Sequence, residues 1–218
     1  MKGLSEKTLP VFNAIKDLDL FNDYRMIGGT ALSLQIHHRL SEDLDFCKWQ
    51  DDPAIKKEEV EWPMIEKELK KQGEVVTDVL DLYQVIFYLN NVKISFYSNS
   101  LSSSKNIHSG MTIGNITLAT LESLGITKLE VMSRRNIYRD YYDLYAILKE
   151  GISLKRLIDG CRQYSKHRMK TKAILSIISD SSRFRNETEF NLLRPVYDIE
   201  PGEIGSFIRE KINREFNR

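Results

Sequence analysis

The chain has 218 residues, enough for one large domain or two small ones with a real core. Its 41% hydrophobic and 29% charged residues are those of a water-soluble globular protein, and no apolar run approaches the ~20 residues of a membrane span. The net charge of +1 excludes a polycation or polyanion overall, and Cys47 and Cys161, far apart and without CxxC spacing, exclude a zinc cluster and a disulfide framework. The first residues contain Glu6 and no long apolar stretch, so no secretory signal is expected, and a reducing cytoplasm is the expected compartment. The charge is nevertheless uneven. From residue 151 onward 14 Lys/Arg face 9 Asp/Glu, against 18 and 22 before it. Residues 162–172 hold five basic side chains and no acidic one, which reads equally as a phosphate-neutralising patch or as a solvated helix face.

Taken in chain order, residues 5–20 place Leu9, Phe12, Ile15 and Leu18 at helical spacing, which predicts a packing helix. Residues 24–27 form a short apolar run ending at a glycine pair, the pattern of a strand feeding a turn. Residues 30–39 follow as a helix that Thr30 can cap, and 44–47 as a second short strand. A charged helix is expected over 54–72. Residues 74–79, 84–89 and 92–97 are rich in β-branched and aromatic side chains, with Asn90-Asn91 as a tight turn. Residues 98–105 read as a loop. Helices are expected over 118–133, 138–149, 154–164, 170–179 and 202–215. Strands followed by helices predict an α+β domain with a mixed sheet, residues 1–117, and a helical domain, residues 118–218.

The chemistry concentrates in residues 28–46, GGTALSLQIHHRLSEDLDF. Alternate residues of a strand share a face, so Asp43 and Asp45 point one way while Leu44 and Phe46 enter the core. Paired carboxylates repel unless a cation lies between them, and a small set of oxygen ligands suits Mg²⁺ (or Mn²⁺) held jointly with substrate phosphates. The Gly28-Gly29 pair lets backbone approach a triphosphate, and the N–H groups of residues 30–32 would offer it partial positive charge. His37 and His38 point about 100° apart on a helix and cannot both ligate one ion; one is expected packed and the other exposed. Arg39 either forks onto a phosphate or pairs with Asp43.

The order Gly28-Gly29-Thr30-Ala31-Leu32, then His38-Arg39-Leu40-Ser41-Glu42-Asp43-Leu44-Asp45-Phe46, resembles the AbiEii-type abortive-infection toxins of the DNA polymerase β-like nucleotidyltransferases. A second block agrees: Lys128, Arg135, then Arg139-Asp140-Tyr141-Tyr142-Asp143-Leu144. Together they span most of residues 24–148. The resemblance implies a polymerase β-like fold, Asp43 and Asp45 as metal ligands, and nucleotide contacts from Gly28, Gly29, Thr30, Arg39, Ser41 and Lys128. It also implies Asp143 near the reacting hydroxyl, with Asp140 the lesser of the two acids. On helix geometry alone, Lys128 lies on the face marked by Leu121, Leu124 and Met132, where it either snorkels or meets an anion, and Arg139 and Asp143 are i,i+4 neighbours able to pair.

One feature departs from that pattern. Such enzymes carry a third carboxylate on a later central strand, where this sequence offers Ser95; Asp78 and Asp81 are weaker substitutes. Either Asp143 supplies the missing acid, folding back toward the Asp43-Leu44-Asp45 strand with Lys128, or activity is weak. The implied function is transfer of NMP from an NTP to a hydroxyl of tRNA, another RNA or a protein, as the toxin of a toxin–antitoxin or phage-defence module with a cognate antitoxin. The alternative, which Ser95 carries, is a degenerate nucleotide- or RNA-binding module on the same fold.

Overall fold

A computed structural model describes residues 1–49, 58–99, 107–165, 169–185 and 189–216. The chain divides into two compact units, Met1–Thr120 and Leu121–Arg218.

The first unit contains helices α1 (Thr8–Ile15), α2 (Gly28–Ile36) and α3 (Trp62–Lys70) with strands β1 (Arg25–Ile27), β2 (Leu44–Trp49), β3 (Val75–Leu80), β4 (Gln84–Leu89), β5 (Val92–Asn99), β6 (Ser109–Ile113) and β7 (Ile116–Ala119). The strands form one mixed sheet in the order β3-β4-β5-β2-β1-β7-β6. β2 runs antiparallel to β1 and parallel to β5, which makes it central. Period-2 alternation sends Leu44, Phe46, Ile94 and Phe96 to one face, where all four are fully buried. Phe46 meets Phe21 at 4.4 Å between ring centroids and Phe96 at 5.4 Å. Each such ring contributes roughly 1.5–3 kcal/mol by leaving water, so this cluster fixes the register of the central strands. Asn90 and Asn91 turn β4 into β5 with φ of 49° and 64°, as a two-residue hairpin turn requires.

Several elements differ from the sequence expectations. The first helix stops at Ile15 rather than near residue 20, because Asn115 takes over the carbonyls there: its N–H donates to Lys16 O at 2.7 Å and its side-chain amide to Asp17 O at 3.0 Å. The charged helix begins only at Trp62, with Pro63 in its first turn, and residues 58–61 are not helical; positions 54–57 lie outside the described residues. The expected loop over 98–105 is likewise outside them from residue 100 to 105. Strands β6 and β7 were not expected at all, and a helix was expected from residue 118. β7 pairs parallel to β1 through Thr117 and Leu118, so the expected domain break at 117/118 falls inside a strand. The signal was present: Thr112-Ile113-Gly114-Asn115-Ile116-Thr117 is a hairpin pattern around a Gly at φ 61°.

The second unit is helical: α4 (Leu121–Met132), α5 (Tyr138–Lys149), α6 (Leu154–Tyr164), α7 (Thr171–Ser179) and α8 (Pro201–Phe216). Every residue of α5 from Tyr138 to Leu148 except Arg139 is buried, so this helix is the unit's core. Its tyrosines meet rings from later segments, Tyr141 stacking on Phe184 at 4.2 Å and Tyr145 meeting Phe207 edge-on at 5.0 Å. Tyr141 remains satisfied when buried by donating to Ile178 O at 2.7 Å. α4 and α6 pack closely enough that a methyl on Gly160 would meet Ile126 at 2.4 Å.

Candidate active site

In the first unit, the pair Asp43 and Asp45 stands at the start of the central strand. Both are half-exposed, while Leu44 between them and Phe46 after them are fully buried. Gly28 opens α2 with φ 72°, and a methyl there would lie 2.7 Å from Asp45 Oδ2. The absence of a side chain at residue 28 is therefore what lets backbone and carboxylate approach. Among the described residues no side chain caps the start of α2, and the first N–H groups of a helix carry its positive end.

Thr30 does not cap the helix as expected, since the helix begins two residues before it. Its buried hydroxyl donates to the carbonyl of Asp43 and lies 2.8 Å from Ser41 Oγ. Thr30 and Ser41 thus lock the backbone that carries Asp43. Arg39 is also buried; its Nη1 donates to Leu40 O at 2.9 Å, and its Nη2 would be 2.3 Å from a methyl on Gly29. That glycine makes room for a guanidinium from within the same unit. Of the two histidines, His38 is buried and His37 is exposed, in the left-handed conformation that ends α2.

Ser95 pairs with Asp45 across the parallel β2–β5 register. It is fully buried, and among the described residues its hydroxyl has no hydrogen-bond partner. Asp78 and Asp81 belong to the β3 end of the sheet, with β4 and β5 between β3 and β2, and Asp81 accepts from Tyr83 N. Neither stands beside the Asp43-Leu44-Asp45 strand.

In the second unit, Lys128 of α4 neither snorkels nor stands alone. Its Nζ donates to Asp140 Oδ1 at 2.7 Å and meets Asp143 Oδ2 at 2.6 Å, and both acids are essentially fully buried. Arg135 forks onto the same Asp140, Nε to Oδ2 at 2.7 Å and Nη2 to Oδ1 at 3.1 Å. Burial pushes the Asp140 carboxyl up, but Lys128 and the Arg135 fork outweigh it and hold the group below its ordinary value of 3.8. Two cations and two anions therefore balance in charge, with Lys128 and both acids buried and Arg135 reaching in from the surface. Sequence reasoning ranked Asp140 below Asp143 and missed its tie to Lys128. The tie depends on the α4–α5 crossing, which i,i+4 spacing does not encode.

The donor set of Asp43 and Asp45 fits a hard divalent cation, being oxygen only and open to solvent. Among the described residues no group of three or more His, Cys, Asp or Glu side chains could hold a metal ion. Both cysteines are buried; burial pushes the Cys161 thiol up to about 12, which makes it a packing residue rather than a nucleophile. No helix among the described residues is long and apolar enough to cross a membrane.

Residues 11–210 match the family described as "Nucleotidyl transferase AbiEii toxin, Type IV TA system". An uncharacterized protein of Aquifex aeolicus (strain VF5), aq_aa25, is 26% identical over 220 residues, covering 97% of each chain. Among solved structures, MenT4, a nucleotidyltransferase toxin of Mycobacterium tuberculosis H37Rv, aligns with a TM-score of 0.58 at 17% identity, over 94% of this chain and 81% of that one. JHP933 from Helicobacter pylori aligns with a TM-score of 0.51 at 16% identity, over 98% of this chain and 97% of that one. At those identities the two structures establish the fold alone.

Proposed function

The chain belongs to the AbiEii nucleotidyltransferase toxin family, and from that premise we propose a divalent-metal-dependent transfer of NMP from an NTP to a hydroxyl of RNA, with tRNA the first acceptor to examine. The acceptor oxygen forms a bond to the α-phosphorus, the bond from that phosphorus to the bridging oxygen breaks, and pyrophosphate leaves with the electron pair. The proton of the acceptor hydroxyl passes to Asp143.

The observation that carries this reading is the pair of half-exposed carboxylates beside a glycine that admits nothing larger, Asp43 and Asp45 against Gly28. Asp43 and Asp45 hold the metal, and the uncapped start of α2 at Gly28 and Gly29 faces phosphate. Thr30 and Ser41 fix the backbone of Asp43. Arg39 shapes that turn, and Lys128 takes phosphate charge. When bound, Mg²⁺ or Mn²⁺ would neutralise phosphate charge as the leaving oxygen develops it. The biological role that follows is a cytoplasmic toxin of a toxin–antitoxin or phage-defence module, restrained by a cognate antitoxin.

The test is incubation of the full chain with each α-labelled NTP, Mg²⁺ or Mn²⁺ and total tRNA. Label should enter RNA and fall at least a hundredfold in D43A/D45A, and growth arrest on induced expression should be relieved by the same pair of substitutions. Label entering protein instead would replace the acceptor. NTP binding with no transfer to either would replace the enzyme with the degenerate module that Ser95 allows.

A further inference from the structure

Lys128 does not balance the two buried acids of α5 alone. Its ammonium is shared by two buried carboxylates on α5, at 2.7 Å to Asp140 and 2.6 Å to Asp143. One ammonium between two buried acids would leave a net negative charge in a poorly solvated place, which is costly. Arg135 corrects this from the segment between α4 and α5. Its two-point fork occupies both oxygens of Asp140, while its own side chain remains about half-exposed, 53%. Asp140 is thus held in orientation and charge-compensated by a group other than Lys128. If Lys128 turns toward a phosphate, Asp140 keeps a partner.

We propose that Asp140, braced by Arg135, is a positioning residue that sets where the Lys128 ammonium is presented to substrate phosphate. This rests on the reading of Lys128 as a phosphate-contacting residue. Asp140 itself touches no substrate in this account. It fixes the lysine through one oxygen and is fixed by the arginine through both.

The experiment is equilibrium binding of labelled NTP with Mg²⁺ to the full chain, with thermal unfolding recorded for each variant. Lys128→Met, Asp140→Asn and Arg135→Gln should each weaken NTP binding by about tenfold, the scale of coupling between contacting residues. Lys128→Met/Asp140→Asn should bind no worse than Lys128→Met alone, and Asp140→Glu should recover part of the loss. A merely structural Asp140 predicts instead that the two losses multiply. Wild-type NTP binding by folded Asp140→Asn and Arg135→Gln, with Lys128→Met still weakened, overturns the positioning role and leaves the phosphate role of Lys128 standing. Unchanged binding by Lys128→Met overturns both. Should Asp140→Asn fail to fold, Arg135→Gln decides, because half of that side chain is already in solvent; wild-type binding by it overturns the proposal.

Discussion

Gly28 and Gly151 share a backbone conformation that side chains rarely adopt, φ of 72° and 86°, but they face different surroundings. A methyl on Gly28 meets Asp45 Oδ2 at 2.7 Å, whereas a methyl on Gly151 meets nothing within 4 Å among the described residues. Gly151→Ala should therefore cost only the backbone strain, about 1 kcal/mol in thermal unfolding, and leave nucleotide transfer unchanged. Gly28→Ala should cost at least as much and also reduce transfer by tenfold or more, since relieving the contact displaces the Asp45 carboxylate. Transfer at the wild-type rate by Gly28→Ala would remove Gly28 from the site. The alternation of Asp43 and Asp45 with Leu44 and Phe46 was legible because strand period depends only on neighbours. The use of Thr30 was not: its partners, Ser41 and the Asp43 carbonyl, lie 11 and 13 residues ahead, and only the fold brings them to it.

The same distinction separates the helices and strands that were read well from those that were not. Helices α5 and α6 carry their own periodicity and end where expected, at Lys149 and Tyr164. Helix α1 ends early because a distant asparagine captures the carbonyls of Lys16 and Asp17 just past it, and β7 reads as the start of a helix because its parallel partner, β1, is some ninety residues away. One terminus shows how far such non-local capping reaches. Ser153 caps α6 by accepting from Arg156 N, and Glu215 of α8 accepts from Ser153 Oγ at 2.7 Å and from Lys155 N at 2.9 Å. Burial pushes the Glu215 carboxyl up, but the Lys155 and Ser153 bonds outweigh it and hold it below its ordinary value of 4.5. Its contribution is thus present above about pH 4.5 and is lost as pH falls through the lowered folded-state value. Glu215→Ala should destabilise the protein by about 1 kcal/mol at pH 7, the usual cost of losing a cap. The difference from wild type should shrink in unfolding curves taken toward pH 3; a difference independent of pH would mean that the carboxylate is not what caps α6.

A net charge of +1 conceals two very different stretches of chain, and the basic one follows the nucleotidyltransferase blocks in sequence. Within 162–172, Arg162 already lies 3.6 Å from Asp159, positions 166–168 lie outside the described residues, and Lys170 and Lys172 are exposed. If RNA is the acceptor, a surface of this kind binds it by releasing counterions from the phosphates. Each contact with a single strand then contributes about −0.7 to the slope of log affinity against log salt. Three such contacts would lower affinity by more than about tenfold between 50 and 200 mM salt. Filter binding of total tRNA should show that loss, and Lys170→Glu/Lys172→Glu should weaken binding at low salt while flattening the slope by about one contact or more. Neither residue lies in the family blocks, so NTP binding by the same variant should match wild type. Binding that ignores salt would mean that charge does not hold RNA here. A slope unaltered by the two substitutions would place the RNA surface on other basic residues, away from the start of α7.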